Sequence, residues 1–413
     1  MKILMINKFL YPNGGSETYI FNLGRALTEA GHEVQYFGME HEGRCVGNHA
    51  GSYTADMEFH SGKTLSMLTY SVKTIYSSEA RRKIRLVLND FKPDVCHLNN
   101  FNYQLTPSII LEIRKWEKET GNPVQIVYTA HDYQLICPNH MLYNPLQHAL
   151  CERCVTNGFL NCYRGKCIHG SRAKSLIATL EGCYWKRRQT YREINTVICP
   201  SAFMKEVLDQ SDELRGRTVT LHNFLDLETS SAELASCLSK SSADSSDKGK
   251  YVLYFGRLSQ EKGLMALSVA CKALPEIPFV FAGTGPLVSE VKELPNARYV
   301  GFMKGEELYS LIRGARFTVY PSEWYENCPY SVMESESLGT PVLASRIGGI
   351  PELVKDGESG ELFTPARVKE LTIKIALLWA DDDKISKYRE GCSTICFDTE
   401  AQYCKKILEI YRG

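Results

Sequence analysis

The chain of 413 residues contains no run of 18 apolar residues, so nothing in it suits a membrane-spanning helix. It carries no net charge: 48 Lys and Arg balance 48 Asp and Glu. A nucleic-acid binder usually shows a basic excess, so that class is disfavoured. A secretory leader is not expected either. The apolar stretch from Met1 to Lys8 is interrupted too early for a signal peptide and suits a buried strand. The expectation is a cytoplasmic chain. In that setting 15 cysteines, an odd number, argue against a disulfide framework, and most should be small buried hydrophobes. The Gly-x-Gly-x-x-Gly dinucleotide fingerprint is also missing. Gly14-Gly15 lacks its spacing, and after Gly283-Thr284-Gly285 the third glycine position holds Val288. An NAD enzyme is therefore disfavoured.

The apolar fraction of 44% and charged fraction of 23% are those of a globular protein, and the length calls for two domains rather than one. The apolar run 2–6, a glycine turn, helical spacing of Ile20, Leu23, Ala26 and Leu27, then Val34 to Phe37 open a doubly wound α/β domain. The pattern continues through a helix over 80–91, a strand over 95–98, a helix over 107–119, and strands over 124–129 and 196–199. The Ser-rich stretch 228–250 is too poor in apolar residues for a core and reads as a linker. The alternation restarts with a strand at Tyr251–Gly256, a helix over 262–274, and strands at 279–283, 317–320 and 341–344. Both halves are read as Rossmann-like layers with mostly parallel sheets. Their ligands belong beyond the carboxyl ends of the strands, and the cleft between two such domains is the expected site. The boundaries are 1–224 with an insert at 133–182, 225–395, and a C-terminal helix within 396–413 that braces the first domain. The first 222 residues carry 26 basic and 21 acidic groups, the remainder 22 and 27. So slight an imbalance fits chance scatter as well as an approach to an anionic membrane.

Arg257 and Lys262 stand just past a strand end, before a helix. Two cations there suit a diphosphate that gains charge as it leaves, although solvated surface charges show the same pattern. Gly14-Gly15 occupies the matching place in the first half, where backbone N–H groups and a helix N-terminus can face a phosphate. In 321–352, Glu326 and Glu334 lie either side of a helix start near Pro329, whose proline fits a first turn. Two carboxylates so placed can grip separate hydroxyls of one ligand.

These segments resemble glycosyltransferase family 4, retaining enzymes of the GT-B fold, over nearly the whole chain. The likeness is carried by Gly14-Gly15-Ser16-Glu17, Phe255 to Leu258 with Glu261-Lys262-Gly263, Gly283-Thr284-Gly285-Pro286, Glu326 to Glu334, Gly339 to Val342, and Gly348 to Glu352. It implies an α/β chain with two Rossmann-like domains facing across a cleft, the first on the acceptor side and the second binding a nucleotide sugar. It implies that Arg257 and Lys262 bind the donor diphosphate, that Glu326 holds a sugar hydroxyl, and that the amides from Asn327 through Cys328 and Pro329 to Tyr330 hold sugar or phosphate. It assigns Glu334 to the ribose, Gly14, Gly15, Gly283 and Gly285 to the donor, and His131 to the active site beside the donor sugar. The implied reaction moves a sugar from a nucleotide donor to an acceptor hydroxyl with retained configuration. The acceptor class is a saccharide or lipid-linked saccharide, as in bacterial surface polysaccharide or glycolipid assembly. No catalytic cofactor is implied, because fixed cations take the place of a metal. No enzymic nucleophile is evident. The alternatives are an epimerase or phosphorylase of the same fold and an inactive carbohydrate-binding scaffold.

Cys151-x2-Cys154 and Cys162-x4-Cys167 offer four thiolates, enough for a structural zinc, with Cys137 as an alternate ligand and His140, His148 and His169 as substitutes. Free thiols are the other reading. The basic runs Arg81-Arg82-Lys83-x-Arg85 and Lys186-Arg187-Arg188 suit either peripheral contact with anionic lipid or solvated helix faces.

Overall fold

The computed structural model describes residues 1–56, 73–225 and 251–413. The Ser-rich stretch 228–250 lies outside the described residues. The chain divides into two compact units. The first comprises 1–147, 151–222 and 400–413, the second 148–150 and 223–399.

The first unit is built on six strands, β1 (Lys2–Ile6), β2 (Glu33–Phe37), β3 (Val95–Leu98), β4 (Gln125–Thr129), β5 (Thr196–Cys199) and β6 (Thr218–Thr220). They line up in the order β2-β1-β3-β4-β5-β6, and every neighbouring pair is parallel. Helices cover such a sheet on both faces, so its strands are apolar throughout, as Ile3, Leu4, Met5 and Ile6 are, all fully buried. The order reverses between β1 and β3, and the loops after those strands open at this switch point.

The helices have readable ends. Helix α1 (Gly15–Glu29) starts from the glycine turn, and α2 (Ser78–Phe91) is capped by the Ser77 side chain, which accepts from the Ala80 N–H. Helix α3 (Ser108–Thr120) ends at Gly121 in the left-handed conformation. Between β4 and β5 the chain makes two short helices, α4 (Arg153–Asn157) and α5 (Leu160–Gly165), and a long one, α6 (Arg172–Arg188).

The second unit repeats the plan with β7 (Val252–Phe255), β8 (Phe279–Ala282), β9 (Ala297–Gly301), β10 (Phe317–Tyr320), β11 (Val342–Ser345) and β12 (Gly360–Phe363). The order is β9-β8-β7-β10-β11-β12, again wholly parallel, with the switch point between β7 and β10. Helix α7 (Leu264–Ala273) follows β7 and α8 (Tyr330–Ser337) follows β10. The last helix, α9 (Glu400–Arg412), packs in the first unit. There Tyr403 shares a 2.8 Å hydrogen bond with Tyr19, and Tyr411 shares one of 2.6 Å with His97.

Candidate active site

In the second unit the chain leaves β7 at Gly256-Arg257 and β10 at Pro321-Ser322, the two strands that flank the switch point. Lys262, just before α7, reaches Glu326, after β10, at 2.6 Å. Glu326 Oε1 also accepts from Ser322 Oγ at 2.7 Å and from Trp324 Nε1 at 2.6 Å. All three donors converge on that one oxygen, and none of the three bonds uses Oε2. Lys262 lies over the rings of Tyr320 and Trp324, with its ammonium 5.6 Å and 5.1 Å from their centroids. A cation and an anion are thus fixed side by side with little water.

Arg257 is exposed, and its carbonyl accepts from Tyr254 Oη at 2.7 Å. Its loop is laced to the Gly283-Thr284-Gly285 turn, because Leu258 donates its N–H to Thr284 and its carbonyl accepts from Leu287. Gly283 and Gly285 have φ of +133° and +156°. A Cβ on them would come 1.9 Å from the Gly256 carbonyl oxygen and 2.3 Å from that of Leu258. These glycines therefore serve the close approach of two backbone loops, whatever else they touch.

Helix α8 begins at Tyr330 after Pro329, with Glu326 in the preceding loop and Glu334 in the second turn. Burial pushes the Glu334 carboxyl up to about 7. The expected row of amide donors is corrected at one place. Pro329 has no N–H to give. Cys328 is a core residue whose thiol meets Met333 and whose carbonyl accepts from Asn223 at 3.0 Å, which leaves only its amide for a ligand. Asn327 precedes it, half-buried.

In the first unit Gly14 is the extended residue before α1, with φ −177°, a conformation open to any residue. Gly15 is the first residue of that helix. Asn7, after β1, donates its side-chain Nδ2 to Glu17 at 2.9 Å, and its Oδ1 accepts from the Asn100 N–H at 3.0 Å. Ser16 joins Glu17 to Asn100. His131, after β4, bonds Asn99 Oδ1 at 2.8 Å and meets the Tyr19 ring edge-on. Since that oxygen only accepts, the neutral ring carries its proton on Nε2. Burial holds the His131 imidazole down at about 4, so the ring is neutral near pH 7.

Sequence reading missed Ser322 and Trp324 in the second unit and Asn7, Asn99 and Asn100 in the first. Ser322, Trp324 and Glu326 alternate along the segment after β10, and that spacing was the available signal.

Among the cysteines, Cys154, Cys162 and Cys167 are buried together with Phe159, whereas Cys151 is half-buried and accepts from Arg153 Nε at 3.3 Å. As the side chains stand, no group of three or more His, Cys, Asp or Glu among the described residues is arranged to hold a metal ion. His140 faces Asp132 at 3.6 Å and Asn102 at 3.3 Å. The run at Arg81 is taken up by packing of α2 on α3. Arg81 and Arg85 both pair with Glu112, and Arg85 with Glu119, which removes these two side chains from a lipid-facing role.

The model described as Glycosyltransferase Family 4 matches residues 13–229, more than half of the chain, and that described as Glycosyl transferases group 1 matches 239–393. The chain belongs to glycosyltransferase family 4. The sulfoquinovosyl transferase SQD2 of Arabidopsis thaliana is 34% identical over 136 residues, 32% of this chain and 26% of that protein. The GDP-mannose-dependent alpha-mannosyltransferase of Corynebacterium glutamicum is 30% identical over 177 residues, 42% of each chain. The matched stretches thus span well under half of these two relatives. The solved structure of Anabaena Alr3699/HepE in complex with UDP superposes with a TM-score of 0.66 at 16% identity, covering 100% of both chains. This family 4 chain therefore has the GT-B fold, with its two parallel sheets as the two Rossmann-like layers.

Proposed function

We propose that the protein is a retaining glycosyltransferase that moves a sugar from a nucleoside diphosphate sugar to an acceptor hydroxyl. The observation that carries this is the Lys262–Glu326 pair, held by Ser322 and Trp324 at the carboxyl ends of β7 and β10. Donors named for similar proteins support the class, since one relative is GDP-mannose-dependent and one structural neighbour holds UDP.

The barrier is departure of the nucleoside diphosphate from an oxocarbenium-like sugar. Lys262 and Arg257 stabilise the charge that grows on the leaving phosphate. Glu326 orients Lys262 through Oε1 and offers Oε2 to a sugar hydroxyl. Glu334 accepts from the ribose, and the amides of Asn327, Cys328 and Tyr330 serve sugar or phosphate. The acceptor attacks the face the phosphate leaves, and the departing phosphate takes the acceptor proton. His131, neutral, acts as a hydrogen-bonding group beside the sugar.

The acceptor is a saccharide on a lipid anchor, met at an anionic membrane face. Helix α6 supports this. Its exposed stripe runs Arg172, Leu176, Leu180, Cys183, Arg187, one side of a 3.6-residue helix. Leu176 and Leu180 are 41% and 51% exposed, and Leu160 nearby in sequence is 47% exposed. Residues 151–192 hold nine Lys and Arg against two Glu, one of which, Glu181, burial raises to about 8. Leucines inside so basic a segment match an anionic bilayer in both apolarity and charge. On this reading the enzyme works in the cytoplasm at the inner face of the cell membrane, in polysaccharide or glycolipid biosynthesis.

The test is a panel of UDP-, GDP- and ADP-sugars with lipid-linked acceptors, reading nucleoside diphosphate release and the anomeric configuration of the product. Release of no nucleoside diphosphate from any donor, or an inverted product, refutes the reading.

A further inference from the structure

The carboxyl ends of β1, β3 and β4 hold a second group of side chains, at the switch point of the first sheet. Lys8 follows β1, Tyr103 follows β3, and Asp132 and His140 follow β4. The Lys8 ammonium lies 4.2 Å from the centroid of the Phe9 ring and 4.9 Å from that of Tyr103. The Tyr103 and His140 ring centroids are 6.0 Å apart, and His140 Nδ1 stands 3.6 Å from Asp132 Oδ2. Four side chains from three strand ends thus form one patch of the first unit.

Two of these groups are unspent. Among the described residues the Lys8 ammonium makes ring contacts but no hydrogen bond and no ion pair. Burial lowers its pKa, although the charges of Asp132, Glu17 and Asp56 pull the other way. Asp132 Oδ1 accepts from the Gln134 N–H at 2.8 Å, whereas its Oδ2 accepts no hydrogen bond among the described residues. The Asp132 side chain keeps 30% of its surface in water, so that oxygen can be reached. Water serves both groups in the free protein, and a ligand that displaces it must supply the same bonds. The backbone adds a second sign. Tyr103 and His140 have φ of +55° and +67°, a left-handed conformation that bulky residues adopt only where their surroundings enforce it, and such strain gathers at binding sites. The turn at Tyr103 leaves that ring 40% exposed at the ligand end of the sheet.

We propose that Lys8, Tyr103 and Asp132 form a subsite for an uncharged pyranose. Tyr103 lies under an apolar face of the sugar, Lys8 donates to one hydroxyl, and Asp132 accepts from another. That this sugar belongs to the acceptor rests on the transfer function proposed above. A hydroxyl both donates and accepts, so neighbouring hydroxyls of one ring answer a cation and a carboxylate together. A phosphate or a uronate answers the cation alone. It would be repelled by Asp132, and Glu17 and Asp56 also lie within electrostatic reach of Lys8. Burial keeps His140 below its ordinary pKa and therefore neutral near pH 7, so it adds no positive charge to the patch. Asp132 directly follows His131, the residue assigned to the donor sugar. An exposed ring with a few fixed polar groups is the usual composition of a small-molecule site.

The test uses the full chain with the methyl glycosides of glucose, galactose, mannose and N-acetylglucosamine as probes. Methyl glucuronide and glucose 1-phosphate are the charged controls. Saturation-transfer NMR reads which of them bind, and acetylation of Lys8, followed by peptide mass spectrometry, reads where. At least one uncharged glycoside should bind and slow Lys8 acetylation, whereas UDP, GDP or ADP alone should not. Tyr103→Ala and Asp132→Asn should each weaken binding of that glycoside roughly tenfold, and Tyr103→Phe should preserve it. Thermal unfolding checks that the variants are folded. The NMR and acetylation results use the unmodified chain, so they decide the matter even where a variant does not fold. No binding by any uncharged glycoside, tighter binding of a charged control, or unchanged Lys8 acetylation with a glycoside bound overturns the proposal. So does protection of Lys8 by a nucleoside diphosphate alone, or a folded Tyr103→Ala chain that binds as the parent does. Failure of the transfer function looks different. A chain that releases no nucleoside diphosphate from any donor yet binds a glycoside at Lys8 keeps the sugar subsite and loses only its assignment to an acceptor.

Discussion

Lys262→Ala separates the strongest contact of the site. The variant leaves the Glu326 carboxylate, 8% exposed, with Ser322 and Trp324 still donating to Oε1 and the Tyr320 hydroxyl bonded to the same carboxylate. Breaking one side of a buried ion pair costs about 3–5 kcal/mol, because the surviving charge is left in a poor solvent. Those charge-assisted hydrogen bonds persist, and Lys262 itself keeps 18% of its surface in water, so the lower end, about 3 kcal/mol, is expected. In a Glu326→Gln background the same truncation meets no charge and should cost about 1 kcal/mol, giving a coupling near 2 kcal/mol. The effect on transfer is separate. A cation about 4 Å from a phosphate at an effective dielectric near 20 interacts by about 4 kcal/mol before desolvation. Half of that surviving in the transition state is about thirtyfold in rate. The assays are urea unfolding followed by tryptophan fluorescence for all four proteins of the cycle, and nucleoside diphosphate release at saturating donor. A Lys262→Ala variant within about 0.5 kcal/mol of the parent and with near-normal turnover refutes the reasoning.

The same contacts and burial give four further outcomes. Glu334 is held near 7, so a role in accepting from the ribose requires its ionised form, and donor KM should fall as pH rises from 6 to 8. Glu334→Gln should flatten that profile, and an unchanged slope counts against the assignment. Burial holds His97 down at about 3 and His131 at about 4, below the ordinary 6.5. The unfolded chain therefore takes up protons that the folded chain refuses, so stability should fall as pH drops from about 6.5 to 4, by up to about 1.4 kcal/mol per pH unit for each ring. His97→Gln should reduce that slope in thermal unfolding. Leu176→Asp with Leu180→Asp should abolish flotation with vesicles rich in phosphatidylglycerol, and high salt should weaken the parent. Flotation that ignores both refutes the α6 surface. Gly283→Ala should destabilise by about 2–4 kcal/mol, since its Cβ would meet the Gly256 carbonyl at 1.9 Å; a neutral substitution in unfolding experiments would show that the two loops can part.

Local pattern carried much of the fold. The buried runs at 2–6, 95–98, 279–283 and 317–320 read as strands because parallel strands covered on both faces are continuously apolar. Three strands of the two six-stranded sheets escaped. Thr218–Thr220 has three residues, Ala297–Gly301 is an edge strand with Arg298 exposed, and Gly360–Phe363 opens on glycine, so none offers the long apolar run that pattern reading needs. The helix start at Pro329 was legible because proline fixes its own backbone, and the same ring removes the amide that a motif-based reading assigned to it.

By itself, then, the sequence determined the alternation of strand and helix and the residue types clustered near strand ends. Those depend on spacing within a few residues, which periodicity and turn chemistry fix locally. Tertiary structure alone decided partners far apart in the chain. It set Lys262 against Glu326, 64 positions on, spent Arg81 and Arg85 on Glu112, and buried Cys154, Cys162 and Cys167 together with Phe159. Two side chains meet across a fold only because sheet order and loop closure bring their backbones together, and neither is written in the residues beside them.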